Sequence, residues 1–134
     1  MKFEFLEHTA DIKFKAYGKT LNEIYESCAL AFSESIARGN KIKSKKKKKI
    51  EVLGNDKEAM LYSFIEELIY LLDADDFVVA KAKVSVKGNK LNAEIFGDDS
   101  KNYKELDHIK AATYAEMYVK KTSKGWEAQM VLDV

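Results

Sequence analysis

The sequence predicts an α+β fold: a mixed, mostly antiparallel sheet with two helices on one face. Three observations predict it. Strand-like alternation of apolar and polar residues recurs near both ends of the chain. Two internal segments carry apolar residues at three- and four-residue spacing, and glycine-bearing turns separate the alternating runs. With 134 residues, 46% of them hydrophobic, the chain reads as one domain spanning 1–134, large enough to bury a core without disulfides or metals to hold it.

The elements follow in order. Residues 2–6 form a short strand, and residues 12–17 a second one with Ile12, Phe14 and Ala16 on one face. Gly18 ends it. Thr20 and Glu23 form a capping box ahead of a helix whose stripe is Leu21, Ile24, Cys28, Ala31, Phe32 and Ile36. Arg38-Gly39 closes that helix. A lysine-rich block, Lys45 to Lys49, leads into a third strand that ends near Gly54. Asn55 and Glu58 form a weaker box before a second helix over residues 56–72, whose apolar residues cover more than one stripe and make it the more buried helix. Residues 77–87 alternate, Gly88-Asn89 turns the chain as a hairpin, and Leu91, Ala93 and Ile95 lie on the returning strand. Residues 97–107 read as a polar loop. Residues 109–120 alternate with Ile109, Ala111, Thr113, Ala115, Met117 and Val119 on one face. Residues 126–133 return with Trp126, Ala128, Met130 and Leu132 as a set.

Composition excludes several classes. Net charge is +1 although 34% of residues are charged, so no basic coat covers the whole surface. The most apolar run, residues 60–72, contains Glu66 and Glu67 and spans no membrane. The N-terminal residues carry early acids and no apolar h-region, so they are no secretory signal, and the expected location is cytoplasmic. Cys28 falls on the apolar face of a helix and reads as a core residue.

Few stretches carry chemistry. Five lysines in a strand project to both faces and cannot all meet one phosphate backbone. No aromatics interleave with them, so a solvated, lysine-guarded sheet edge is the favoured reading. His8 and His108 lack short metal-ligand spacing. Asp107-His108 reads as a loop pair, and Asp73, Asp75 and Asp76 as a helix exit without the glycine and final glutamate of a calcium loop. No nucleophile elbow, phosphate loop or HExxH is present. The sequence ends at Leu132-Asp133-Val134, with the Asp side chain one residue from the terminal carboxylate. Two hard oxygen donors suit Ca²⁺ or Mg²⁺; on these residues alone, a strand that happens to end in Asp is the simpler reading.

Three segments taken together resemble the archease family: Glu7-His8-Thr9-Ala10-Asp11-Ile12, then Ile109-Lys110-Ala111-Ala112-Thr113-Tyr114 with Met117, and Leu132-Asp133-Val134. The helical segment Leu61-Tyr62-Ser63-Phe64-Ile65-Glu66-Glu67-Leu68 and the overall length resemble it too. The resemblance implies an α+β fold around a strand-helix-strand-strand module. It also implies a non-enzymatic accessory role in tRNA splicing: promoting attachment of guanylate from GTP to the RNA-splicing ligase, so that the ligase turns over repeatedly. By the same resemblance a divalent cation, taken as Ca²⁺, is held by Asp11, Asp133 and the terminal carboxylate of Val134. Lys110 contacts the ligase or its nucleotide, tRNA is an indirect partner, and His8 and Thr9 brace the loop. Many relatives carry His after the Thr-Tyr pair, where this chain has Ala115. Two other functions compete. One is an RNA-binding or methyltransferase-assisting chaperone using Lys45 to Lys49. The other, a metal-dependent hydrolase, needs an activated water and a general base near the metal and is short of histidines and of a second carboxylate dyad.

Overall fold

The structure, a computed structural model, describes residues 2–7 and 10–134. Among the described residues, seven strands and two helices run in the order β1 (Phe3–Leu6), β2 (Asp11–Gly18), α1 (Leu21–Ala37), β3 (Lys46–Leu53), α2 (Lys57–Asp75), β4 (Phe77–Lys87), β5 (Lys90–Asp99), β6 (Ala111–Thr122) and β7 (Gly125–Asp133), with a 3-10 turn at Ser100–Asn102. The α+β class is the expected one. The strands, however, divide into two sheets, β1-β2-β7-β6 and β3-β5-β4, and every pairing is antiparallel.

The division has a physical cause in the helices. α1 packs on β2 of the first sheet and along β4 of the second, while α2 packs on β6 of the first and on β3 and β4 of the second. β4 and β6 are edge strands, and edge N–H groups need partners. Glu26 and Asn22 of α1 accept from the N–H groups of Val84 and Val86 at 2.8 and 2.9 Å. Glu66 and Glu58 of α2 accept from Ala112 and Val119 at 2.8 and 3.0 Å. Each helix therefore closes an edge with side-chain acceptors where a single sheet would have used another strand.

Local signals explain the element ends. The Thr20 hydroxyl accepts from the Glu23 N–H at 3.1 Å, and the Glu23 carboxylate takes the Lys19 N–H, one residue earlier than the ideal box. Arg38 itself adopts the left-handed cap, with φ 48°. At α2 the capping residue is Asp56, accepting from the Ala59 N–H at 2.7 Å. Glu58 is then free to reach β6. Asp76 forms the left-handed exit of α2, as expected of that acidic cluster. Cys28 is fully buried in the core, and burial pushes its thiol up.

Two segments depart from simple alternation. In β4 the register shifts between Val79 and Lys81, so Phe77, Val78 and Val79 are all buried. In β6 it shifts between Thr113 and Tyr118. The core positions consequently pass from Ala112 to Val119, opposite in parity, and Ala111 and Thr113 do not share the inner face that simple alternation assigned them.

The expected polar loop begins later than its composition indicates, because β5 continues to Asp99. Its anchor is Asp98, which is buried. The Asp98 carboxylate accepts from the Tyr103 hydroxyl at 2.7 Å, the Asn102 amide at 3.1 Å and the Asp99 N–H at 2.8 Å. The Tyr103 bond is the main reason that the Asp98 carboxyl is held below its ordinary value, against the opposing effect of desolvation. A carboxyl depressed on folding stabilises the protein above its unfolded pKa of about 3.9, and that stability is lost as pH falls through the lower folded value. Asp98→Asn is accordingly expected to lower Tm at pH 7 and to flatten the fall of Tm between about pH 4 and pH 2. Thermal melts across that range check it.

Candidate metal centre

The candidate site is built by β2 and β7, the two central strands of the larger sheet. Ile12, Phe14 and Ala16 of β2 pair with Leu132, Met130 and Ala128 of β7. These residues form the inner face, and all except the half-buried Ile12 are fully buried. Strict two-residue periodicity then puts Asp11 and Asp133 on the outer face. They are direct cross-strand partners. Ala10 precedes them in the left-handed region, with φ 64°, and turns the chain into β2 just before Asp11. β1 does not reach this row, since its last pairing is Leu6 with Lys13. Asp11 is half-buried, and Asp133 and Val134 are exposed.

Lys110 enters through its backbone. Its N–H donates to the Asp133 carbonyl at 2.8 Å, Ala111 pairs with Asp133, and the Lys110 side chain is exposed while Ile109 is buried. The fold thus brings Asp11, Asp133, Val134 and Lys110 to one end of one sheet. His8 and Thr9 lie outside the described residues.

Two carboxylates opposite each other across a strand pair repel, at a cost of about 0.2–1 kcal/mol, and a cation between them removes that cost. Their hard oxygens fit Ca²⁺ or Mg²⁺. Among the described residues, no three His, Cys, Asp or Glu side chains gather as a metal cage. The Asp pair would therefore need further oxygens, water among them. The pair fits an open, surface-bound cation, not an enclosed one.

Sequence reasoning did not find the neighbouring supports. The irregular segment of β6 folds over the outer face, where the Lys13 ammonium meets the Glu116 carboxylate at 3.0 Å and the Gln129 amide donates to the Glu116 carbonyl at 2.7 Å. Glu116 itself has φ 55°. Tyr114 is 57% exposed, and its ring stacks on Tyr62 of α2 at 4.4 Å with an interplanar angle of 4°. No local signal marked this segment, because Thr113 to Val119 keeps an unbroken alternation. Asp107 and His108 separate as expected of a loop pair: Asp107 lies 3.5 Å from Arg38, and His108 3.7 Å from Asp73.

A two-sheet α+β protein, its sheets bridged by two helices and two carboxylates facing each other across the two central strands of one sheet, is the class that fold and site define. The family model described as "Archease protein family (MTH1598/TM1083)" matches residues 3–134, and this chain belongs to the archease family. It is 36% identical to protein archease of Pyrococcus abyssi and 39% identical to that of Pyrococcus furiosus, each match covering 99% of both chains. Its fold is similar to the solution structure of Methanobacterium thermoautotrophicum protein 1598, with a TM-score of 0.79 and 27% identity over 98% of each chain. A crystal structure from Thermotoga maritima, described as an archease and possible chaperone, is similar in fold at a TM-score of 0.66 and 19% identity, covering 96% of this chain and 94% of that one.

Proposed function

We propose that this protein is a non-enzymatic accessory factor for an RNA-splicing ligase in tRNA splicing, promoting guanylylation of the ligase from GTP and so its multiple turnover. One observation carries the reading: the β2–β7 register that sets Asp11 opposite Asp133, in a chain of the archease family. Asp11, Asp133 and the terminal carboxylate of Val134 would hold Ca²⁺ or a similar divalent cation. When bound, such an ion supplies positive charge at an otherwise acidic rim, where a ligase surface or nucleotide phosphate can meet it. Lys110, anchored to Asp133 through its backbone, extends that positive surface. Tyr114, held flat against Tyr62 on the α2 side of β6, offers a separate exposed aromatic contact. The ligase partner and GTP place the work in the cytoplasm; among the described residues no helix is long and apolar enough to cross a membrane.

The testing experiment is guanylylation of a cognate ligase from GTP, followed with and without this protein. Substoichiometric protein should raise both the rate and the number of turnovers, and Lys110→Ala should raise the concentration needed for half-maximal activation. Equal ligase turnover with and without the protein would reject the proposal.

A further inference from the structure

The lysine block and the hairpin β4–β5 lie far apart in sequence, but sheet register combines them. β5 is the middle strand of the smaller sheet. Lys47 and Lys81 both pair with Phe96, Lys49 and Lys83 both pair with Glu94, and Lys87 pairs with Lys90 at the hairpin end. The inner face of this sheet is apolar, with Val52, Leu91, Ala93, Ile95 and Val84 buried, so all six lysines stand on the outer face. Lys48, between two of them, turns the other way, to Asp75 at 3.0 Å and over the Phe77 ring at 5.6 Å. The run of five lysines is therefore not the functional unit. One lysine rail belongs to β3 and the other to β4, a separate part of the chain.

The face has an ordered layout. Lysines two residues apart on a strand recur at about 6.8 Å, and lysines on β3 and β4 flank the middle strand at roughly 9.5 Å from each other. Between these rails lie Phe96, Glu94 and Asn92. Lys81 sits over the Phe96 ring at 5.6 Å, a contact that keeps an aromatic half-exposed on an otherwise polar surface. Six lysines face two glutamates there. Glu94 takes Lys47 at 3.1 Å, and Glu51 takes Lys90 at 3.6 Å. Lys49, Lys83 and Lys87 make no ion pair among the described residues. Lys47 above all, with Lys49 and Lys83, also holds the Glu94 carboxyl below its ordinary value, as a locally positive field does. A shallow groove of about 320 Å³ runs across this face beside Lys49, Lys83 and Asn92.

From this arrangement we infer that the outer face of the β3-β5-β4 sheet binds a single-stranded nucleic acid, phosphates along the two lysine rails and a base against Phe96. Excess positive charge in parallel lines matches a phosphate backbone, and an aromatic floor between them matches an unpaired base, which a duplex or an acidic protein surface does not present. This surface belongs to the other sheet from Asp11 and Asp133, and the inference is independent of ligase activation.

The test is fluorescence anisotropy with labelled 16-nucleotide oligouridine RNA and oligothymidine DNA, titrated with the full chain at several KCl concentrations. Binding of at least one strand is expected, its affinity falling with salt at a log–log slope of roughly −3 for about four neutralised phosphates. The variant carrying Lys49→Gln, Lys81→Gln, Lys83→Gln and Lys87→Gln should bind at least about tenfold more weakly with a flatter slope. Phe96→Ala should weaken binding about tenfold with the slope unchanged. Lys15→Gln with Lys124→Gln, away from this face, should change neither. Circular dichroism and Tm establish that each variant is folded. Absence of binding to both strands overturns the inference, as do unchanged binding by the four-lysine variant and equal affinity for a 16-base-pair duplex. Equal competition by polyglutamate would also overturn it, assigning the face to an acidic protein instead.

Discussion

Asp11→Ala and Asp133→Ala are each expected to reduce activation of ligase guanylylation to the level seen without the protein, while changing fold stability by no more than about 1 kcal/mol. The expectation combines two properties of the pair. The carboxylates are direct partners across β2 and β7, so losing either leaves one side-chain donor where a hard cation needs several oxygens. Neither residue belongs to the core: Asp133 is exposed and Asp11 half-buried. Removing one of two opposed like charges also relieves repulsion of about 0.2–1 kcal/mol, which offsets part of any local loss. Activation assays alongside urea melts check both halves. Loss of activity with loss of fold would assign the residues to structure instead.

Phe64→Ala is expected to have the largest effect on stability, about 3–5 kcal/mol, with a fall in Tm of about 10 °C or more. Phe64 has no exposed surface. It lies on α2, the helix that contacts β6 of one sheet and β3 and β4 of the other. Its ring meets Tyr25 of α1 edge to face, at 6.4 Å between centroids and 89°, and the Tyr25 hydroxyl is in turn held by the Lys57 carbonyl at 3.0 Å. Alanine would open a cavity between the two helices that bridge the sheets. The surrounding elements are tied by edge hydrogen bonds from Glu26, Asn22, Glu58 and Glu66, which limits how far they can collapse into it. Equilibrium denaturation with urea measures the change.

Particular residues show how much of this was legible. Thr20 ahead of α1, the Gly88-Asn89 hairpin and the paired inner faces of β2 and β7 follow from local chemistry and from periods of 3.6 and 2, and those elements fall where the pattern puts them. The division into two sheets was hidden, because it depends on glutamates reaching strand edges far away in sequence, and a glutamate on a helix surface looks the same whether it faces water or Ala112. The bulge in β6 was hidden behind a run of small and aromatic residues that alternates on either register. Asp98 reads as one acid among several in a polar segment, and only its burial beside Tyr103 distinguishes it. Of the candidate site, the residue types were legible at both ends of the chain, but their adjacency is a long-range strand pairing that no local period encodes. The family resemblance supplied that adjacency as an expectation, and the β2–β7 register is the geometry that makes it possible.

Asp11 and Asp133 are proposed to act as one divalent site. Isothermal titration of Ca²⁺ into the wild-type chain, Asp11→Asn and Asp133→Asn measures it. One site per wild-type chain is expected, weakened at least about 100-fold by either substitution. A wild-type chain that binds no divalent cation, or a site that persists unchanged in both variants, would contradict it.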